Sequence, residues 1–184
     1  MIIDSNLTLE EVLAQRQALP ALQEVLDKQR ILKVIYHSFD GKLHQGQMVV
    51  DVDLVNDVKG VFELIADTKF PIKSVIPFVD RRQMSEEQKV ASMNNSLAFN
   101  YRLIANSNKL SNHAFGRAFD INPLLNPMIK NGVVVPTGAK HNIKIPGTVV
   151  GNEKFVTFLK DKGWEWGGDW DEIKDYMHFE KSLI

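Results

Sequence analysis

The sequence predicts an α+β domain: a small antiparallel sheet with flanking helices. Two strand-like runs, 31–39 and 42–50, flank Asp40-Gly41, a pair that favours a hairpin turn. Leu54, Val58, Val61, Phe62 and Ile65 then recur at the spacing of an amphipathic helix. A strand, a short helix, a loop and a final strand follow in that order, which is the pattern of segregated strands and helices.

Thr8 followed by Glu11 reads as a capping box, and Leu9, Val12 and Leu13 behind it keep helical spacing. Leu22, Val25 and Leu26 do the same, and Pro20 splits the two sets. This predicts an N-terminal helical arm over about residues 1–30, packed on one domain that spans 1–184. His37 and His44 fall in the hairpin as surface or packing residues. Residues 71–78 read as a strand bounded by prolines, Ser85 with Gln88 as a helix cap, and 99–102 as a strand edge. Residues 122–147 are rich in proline and glycine and predict a long loop over one face. A helix carrying Phe155, Phe158 and Leu159 ends at Gly163, and the last strand holds His178.

Hydrophobic residues make up 44% of the 184 and charged residues 24%, as in an ordinary globular protein. The net charge of -1, with no long basic block, argues against nucleic acid or an anionic membrane as the main partner. The absence of cysteine excludes disulfide scaffolds, cysteine zinc fingers and thiol nucleophiles. Met1 to Ser5 lack the zones of a signal peptide, and no stretch approaches the ~20 apolar residues of a membrane span. A monomer without an export signal in this chain is expected.

The chemistry-bearing residues cluster in two segments. The first is Ser111-Asn112-His113-Ala114-Phe115-Gly116-Arg117-Ala118-Phe119-Asp120, and the second is Asp175-Tyr176-Met177-His178-Phe179-Glu180. Two imidazoles and a carboxylate suit a borderline ion such as Zn²⁺, and three protein ligands leave one position open. Spacing alone equally allows hydrogen-bonded core histidines.

The wider pattern resembles the zinc D-alanyl-D-alanine carboxypeptidase family, which includes L-alanyl-D-glutamate endopeptidases. Ser111 to Asp120 resembles its first signature, with Ile121-Asn122-Pro123 and Asn126-Pro127 downstream. Trp164, Trp166-Gly167-Gly168, Trp170 and Asp175 to Glu180 resemble the second, and Phe99-Asn100-Tyr101-Arg102 the arginine-bearing segment. The resemblance covers about residues 70 to 180. It implies a small α+β fold shared in outline with lysostaphin-type peptidases and the hedgehog domain.

It also implies one zinc ion per chain held by His113, Asp120 and His178. Asp175 would be the catalytic carboxylate, with a bend near Tyr176 to bring it to the face of His178. Glu180 competes for that role and is otherwise a hydrogen-bond partner of a ligand. Arg102 would hold the substrate carbonyl or a substrate carboxylate. Ser111 would contact substrate backbone, or else stabilise a turn. Trp164, Trp166 and Trp170 are candidates for the cleft wall, with Trp166 assigned to the substrate and Trp164 expected in packing. The implied substrate is a peptidoglycan stem peptide at the bacterial cell envelope or periplasm. The competing class is a wall-binding module with a structural zinc, marked by a fourth protein ligand such as Glu180 or His141. Arg102 and Arg117 are the candidates for gripping a terminal carboxylate.

Overall fold

The structure is a computed structural model and describes residues 1–14, 22–77 and 85–182. Strand β1 (Ile2–Ile3), helix α1 (Leu9–Ala14) and helix α2 (Gln23–Asp27) precede the main hairpin of β2 (Gln29–His37) and β3 (Leu43–Asp51). The capping box at α1 forms: Glu11 N–H donates to Thr8 Oγ1 at 3.2 Å and Thr8 N–H to Glu11 Oε2 at 2.7 Å. Pro20 lies outside the described residues.

The hairpin pairs nine residues on each strand, from Gln29 opposite Asp51 to His37 opposite Leu43. Its turn takes in residues 38–42, so Ser38, Phe39 and Lys42 leave the strands expected for them. The N-terminal segment is not wholly helical, because β1 lies parallel along β3. His44, 9% exposed, fixes this contact from between two carboxylates. Its Nδ1 sits 2.9 Å from Asp4 and its Nε2 3.2 Å from Asp40. Burial opposes its charge, but the two carboxylates prevail and raise its pKa.

Helix α3 (Val55–Thr68) buries Val58, Val61, Phe62 and Ile65, the helical set read in the sequence. Each such side chain contributes about 1.5–3 kcal/mol on removal from water. The strand expected over 71–78 shrinks to β4 (Ser74–Val75), and Phe78 lies outside the described residues. Helix α4 (Glu86–Ala91) begins in the Ser85–Gln88 capping box and leads to β5 (Asn95–Ser96), which runs parallel to β4. The segment 99–102 is irregular, its Phe99 N–H donating to Val49 O at 3.0 Å.

Strand β6 (Ala118–Asp120) follows the first motif. The long loop then contains a hairpin that the sequence reading overlooked, β7 (Met128–Lys130) and β8 (Val133–Val135). Asn131 and Gly132 turn it with φ of 49° and 77°, the pair of positive values that a two-residue hairpin turn needs. Helix α5 (Lys154–Asp161) ends ahead of Gly163. The chain closes with β9 (Glu165–Trp166), β10 (Lys174–Asp175) and β11 (His178–Glu180).

Among the described residues the strands therefore form three three-stranded sheets, β1-β3-β2, β6-β11-β9 and β10-β7-β8, plus the β4-β5 pair. The expected single antiparallel sheet is corrected on two counts: it is divided, and two pairings are parallel. Helical segments precede or connect the parallel strands, which lets them enter in the same direction. Tyr36, Met48, Phe62, Phe119, Phe155, Trp164 and Phe179 share the main core. Val12 and Val25 close a second one against Val49, Phe99, Tyr101 and Ala114.

Two fully buried asparagines organise the loops beyond β6. Asn122 accepts from Lys73 N–H at 2.9 Å and donates to Pro71 O at 2.8 Å and Gly147 O at 3.1 Å. Asn126 accepts from Val149 N–H at 2.7 Å and donates to Ile121 O at 3.0 Å. Asn122→Ala leaves the Lys73 N–H and the Pro71 carbonyl without this partner, whereas Gly147 O keeps Asn126 Nδ2 at 3.1 Å. The substitution is expected to cost about 2–4 kcal/mol in urea denaturation; a loss below about 0.5 kcal/mol would contradict this account.

Candidate metal centre

Ser111 opens a short 3-10 turn over Asn112–Phe115, its hydroxyl accepting from His113 N–H at 3.3 Å. Gly116 closes the turn at φ 67°, where a side chain would be strained. The chain passes directly into β6, which carries Asp120. β11 pairs antiparallel with β6 and sets His178 opposite Asp120. Directly opposed residues face the same side of a sheet, which is how groups 58 positions apart meet.

Three atoms converge. His178 Nδ1 lies 3.1 Å from Asp120 Oδ1 and 3.2 Å from His113 Nε2, and His113 Nε2 lies 3.4 Å from Asp120 Oδ1. The outer nitrogens are engaged: His113 Nδ1 lies 2.7 Å from Ala98 O and His178 Nε2 lies 2.9 Å from Glu180 Oε2. Those carbonyl and carboxylate oxygens need N–H donors, so each ring turns its lone pair inward. Three acceptors facing one another require a cation among them. A tetrahedral zinc with bonds of about 2.0–2.1 Å has edges of about 3.3 Å, and the three separations match that. The residues present therefore fit zinc.

The electrostatics agree. Burial opposes the Asp120 charge, but His113 and His178 hold its carboxyl far below the usual range. Burial likewise opposes a charged His178, but Asp120 and Glu180 outweigh it and push its pKa up to about 10. Glu180 is lowered first by its hydrogen bond to His178.

A turn at Tyr176–Met177 separates β10 from β11 and supplies the expected bend between Asp175 and His178. Asp175 Oδ1 is buried without a hydrogen-bond partner among the described residues. Burial raises the Asp175 pKa to about 7, with Asp120 adding to the rise and His178 and Arg102 opposing it. Gly167 makes room: a Cβ there would meet Asp175 O at 2.5 Å and Asp175 Cβ at 2.8 Å. Arg102 is half-buried, and its carbonyl accepts from Ser111 N–H at 3.1 Å, which ties it to the metal turn.

Glu180 touches the far nitrogen of His178, not the converging atoms. His141 stacks face to face on Tyr176 at 3.7 Å and lies 3.0 Å from Val149 O. Neither joins the three-residue group that could hold an ion. Ser111 is buried, with its hydroxyl committed to the turn. Trp166 sits in the main core and donates to Tyr176 O at 3.0 Å, which braces the turn between Asp175 and His178. The half-buried Trp170 has its ring 5.5 Å from that of His178. Arg117 is buried and donates to Lys181 O at 3.0 Å, with Asp51 3.6 Å away. The sequence reading missed the Ala98 carbonyl, which leaves no trace in a side-chain pattern. Of the three tryptophans read as candidates for the cleft wall, Trp170 is the one whose ring stands beside that of His178.

A family model described as D-alanyl-D-alanine carboxypeptidase matches residues 105–181. This span, under half of the chain, supports a similarity to that family. It supports the resemblance carried by the two motifs, and it includes all three converging ligands and Asp175. The family is one of zinc-dependent peptidases. Arg102 lies just ahead of the matched residues. No curated protein and no solved structure matches the chain.

Proposed function

We propose that this protein is a zinc peptidase that cuts peptidoglycan stem peptides at the bacterial cell envelope, in the manner of an L-alanyl-D-glutamate endopeptidase. The observation that carries the reading is the triangle of ligand atoms at tetrahedral spacing beside Asp175, whose Oδ1 is buried with no hydrogen-bond partner among the described residues. Zinc held there would supply a water of pKa ~7 and polarise the scissile carbonyl. Asp175 takes the proton of the attacking water and returns it to the leaving amine. Arg102 balances the negative charge that develops on the carbonyl oxygen. Glu180 and the Ala98 carbonyl keep the two imidazoles in the ligating tautomer.

Endopeptidase action is favoured over removal of a terminal D-alanine by the engagement of Arg117. Its guanidinium is held by the C-terminal segment and Asp51, so it is not free to grip a terminal carboxylate. The test is digestion of purified peptidoglycan by zinc-loaded protein, with mass spectrometry of the products. New L-alanine and D-glutamate termini, abolished by chelation, are expected. Release of D-alanine alone would replace this reading with a carboxypeptidase, and intact peptidoglycan with bound protein would leave a binding module.

A further inference from the structure

The geometry points to Gln29 as a positioning residue for the metal turn, contributed by a part of the chain outside residues 105–181. This rests on the zinc reading above. Gln29 is the first residue of β2 and is fully buried. Its Nε2 donates to Val25 O at 2.9 Å and to Phe115 O at 3.1 Å. Phe115 is the last residue of the 3-10 turn that carries His113. Carbonyls at the end of a helical turn lack partners within it, so this bond satisfies one of them.

The neighbouring contact is equally close. A Cβ on Gly116 would lie 2.2 Å from Gln29 Oε1 and 2.7 Å from Asp51 N, and Asp51 N–H donates to Gly116 O at 2.9 Å. Gln29 and Asp51 are register partners at the end of the main hairpin. The hairpin therefore holds the turn at Phe115 and Gly116. Elsewhere His113 O accepts from Asn100 N–H at 3.0 Å and His113 Nδ1 bonds Ala98 O. The ligand histidine is held between these supports.

The amide is kept at a cost, since Gln29 Oε1 is buried with no hydrogen-bond partner among the described residues. A leucine of similar volume would avoid that penalty. What leucine lacks is the donor to Val25 and Phe115. Without it the turn loses its support at Phe115, which loosens the placement of His113, although Gln29 touches no ligand.

The test compares zinc affinity in wild type and Gln29→Leu by chelator competition, at a temperature where both are folded. Val58→Ala, a core change remote from the site, serves as the structural control. Gln29→Leu is expected to bind zinc about 10–100-fold more weakly, the usual effect of losing a supporting partner. Val58→Ala is expected to lower Tm and leave zinc affinity unchanged. Wild-type zinc binding with affinity within twofold in Gln29→Leu would overturn the inference alone, whereas a wild type that takes up no zinc would overturn the zinc reading and this inference with it. Should Gln29→Leu not fold, the wild-type Gln29 side-chain amide decides by NMR. Slow solvent exchange and a shift on adding zinc support the inference; free exchange and no shift overturn it.

Discussion

Asparagine in place of Asp175 is expected to lower kcat by about 10²–10⁴-fold while the protein keeps its zinc. The substitution preserves the shape fitted against Gly167 and removes only the proton acceptor. The ligand triangle contains no atom of Asp175, so metal content should not change. The same change should stabilise the metal-free fold. The folded pKa of Asp175, about 7, lies above the usual carboxylate value, so the unfolded chain releases this proton first. Stability is therefore lost as pH rises from about 4 to about 7, on the order of a few kcal/mol. Asparagine carries no such charge and escapes the loss. This is the trade expected of a strained catalytic group, in which activity and stability move in opposite directions. Turnover of stem peptides, elemental analysis for zinc and thermal melting of the metal-free protein at pH 8 check the three parts. Unchanged turnover removes Asp175 from the mechanism, and loss of zinc would make it a ligand instead.

The parts of the fold legible in the sequence were those written in local chemistry. Asp40-Gly41 marks its hairpin because the turn demands those residue types, and Val58, Val61, Phe62 and Ile65 mark α3 because one face is buried. Ser85 with Gln88 and Thr8 with Glu11 name their own caps. The strands of two and three residues carry too little alternation to be seen, so β1 and β5 have no sequence signal and β4 reads as a longer strand than it is. Asn131-Gly132 was legible, but the prolines around it suggested a loop with no pairing of its own. At the site, His113, Asp120 and His178 could be named from motif resemblance, yet their meeting depends on the β6–β11 register, a long-range property. Tryptophans show the limit most clearly. Trp166 and Trp170 are alike in the motif, but the pleat and the turn after β9 send the first into the core and leave the second half-buried beside His178.

Zinc affinity is expected to fall about 100-fold between pH 9 and pH 7, with about one proton released for each ion bound. The three converging acceptors cannot all be satisfied without a cation, and in the metal-free chain that cation is a proton on His178. Its pKa stands at about 10 because the carboxylates of Asp120 and Glu180 outweigh the burial that opposes charge. A raised histidine pKa stabilises the metal-free fold fully below the ordinary value of about 6.5, and this contribution is lost as pH rises through about 10. Zinc needs the Nδ1 lone pair and must displace that proton, so each unit of pH below about 10 weakens apparent binding about tenfold. Asp120, held far below its usual range, adds no proton in this window. Glu180→Gln removes one of the two carboxylates that hold the proton, and should lower the pH at which affinity begins to fall. Calorimetry in buffers of different ionisation enthalpy counts the protons directly. A flat affinity from pH 7 to 9, or no proton release, would mean that the imidazole of His178 is already neutral before the metal arrives.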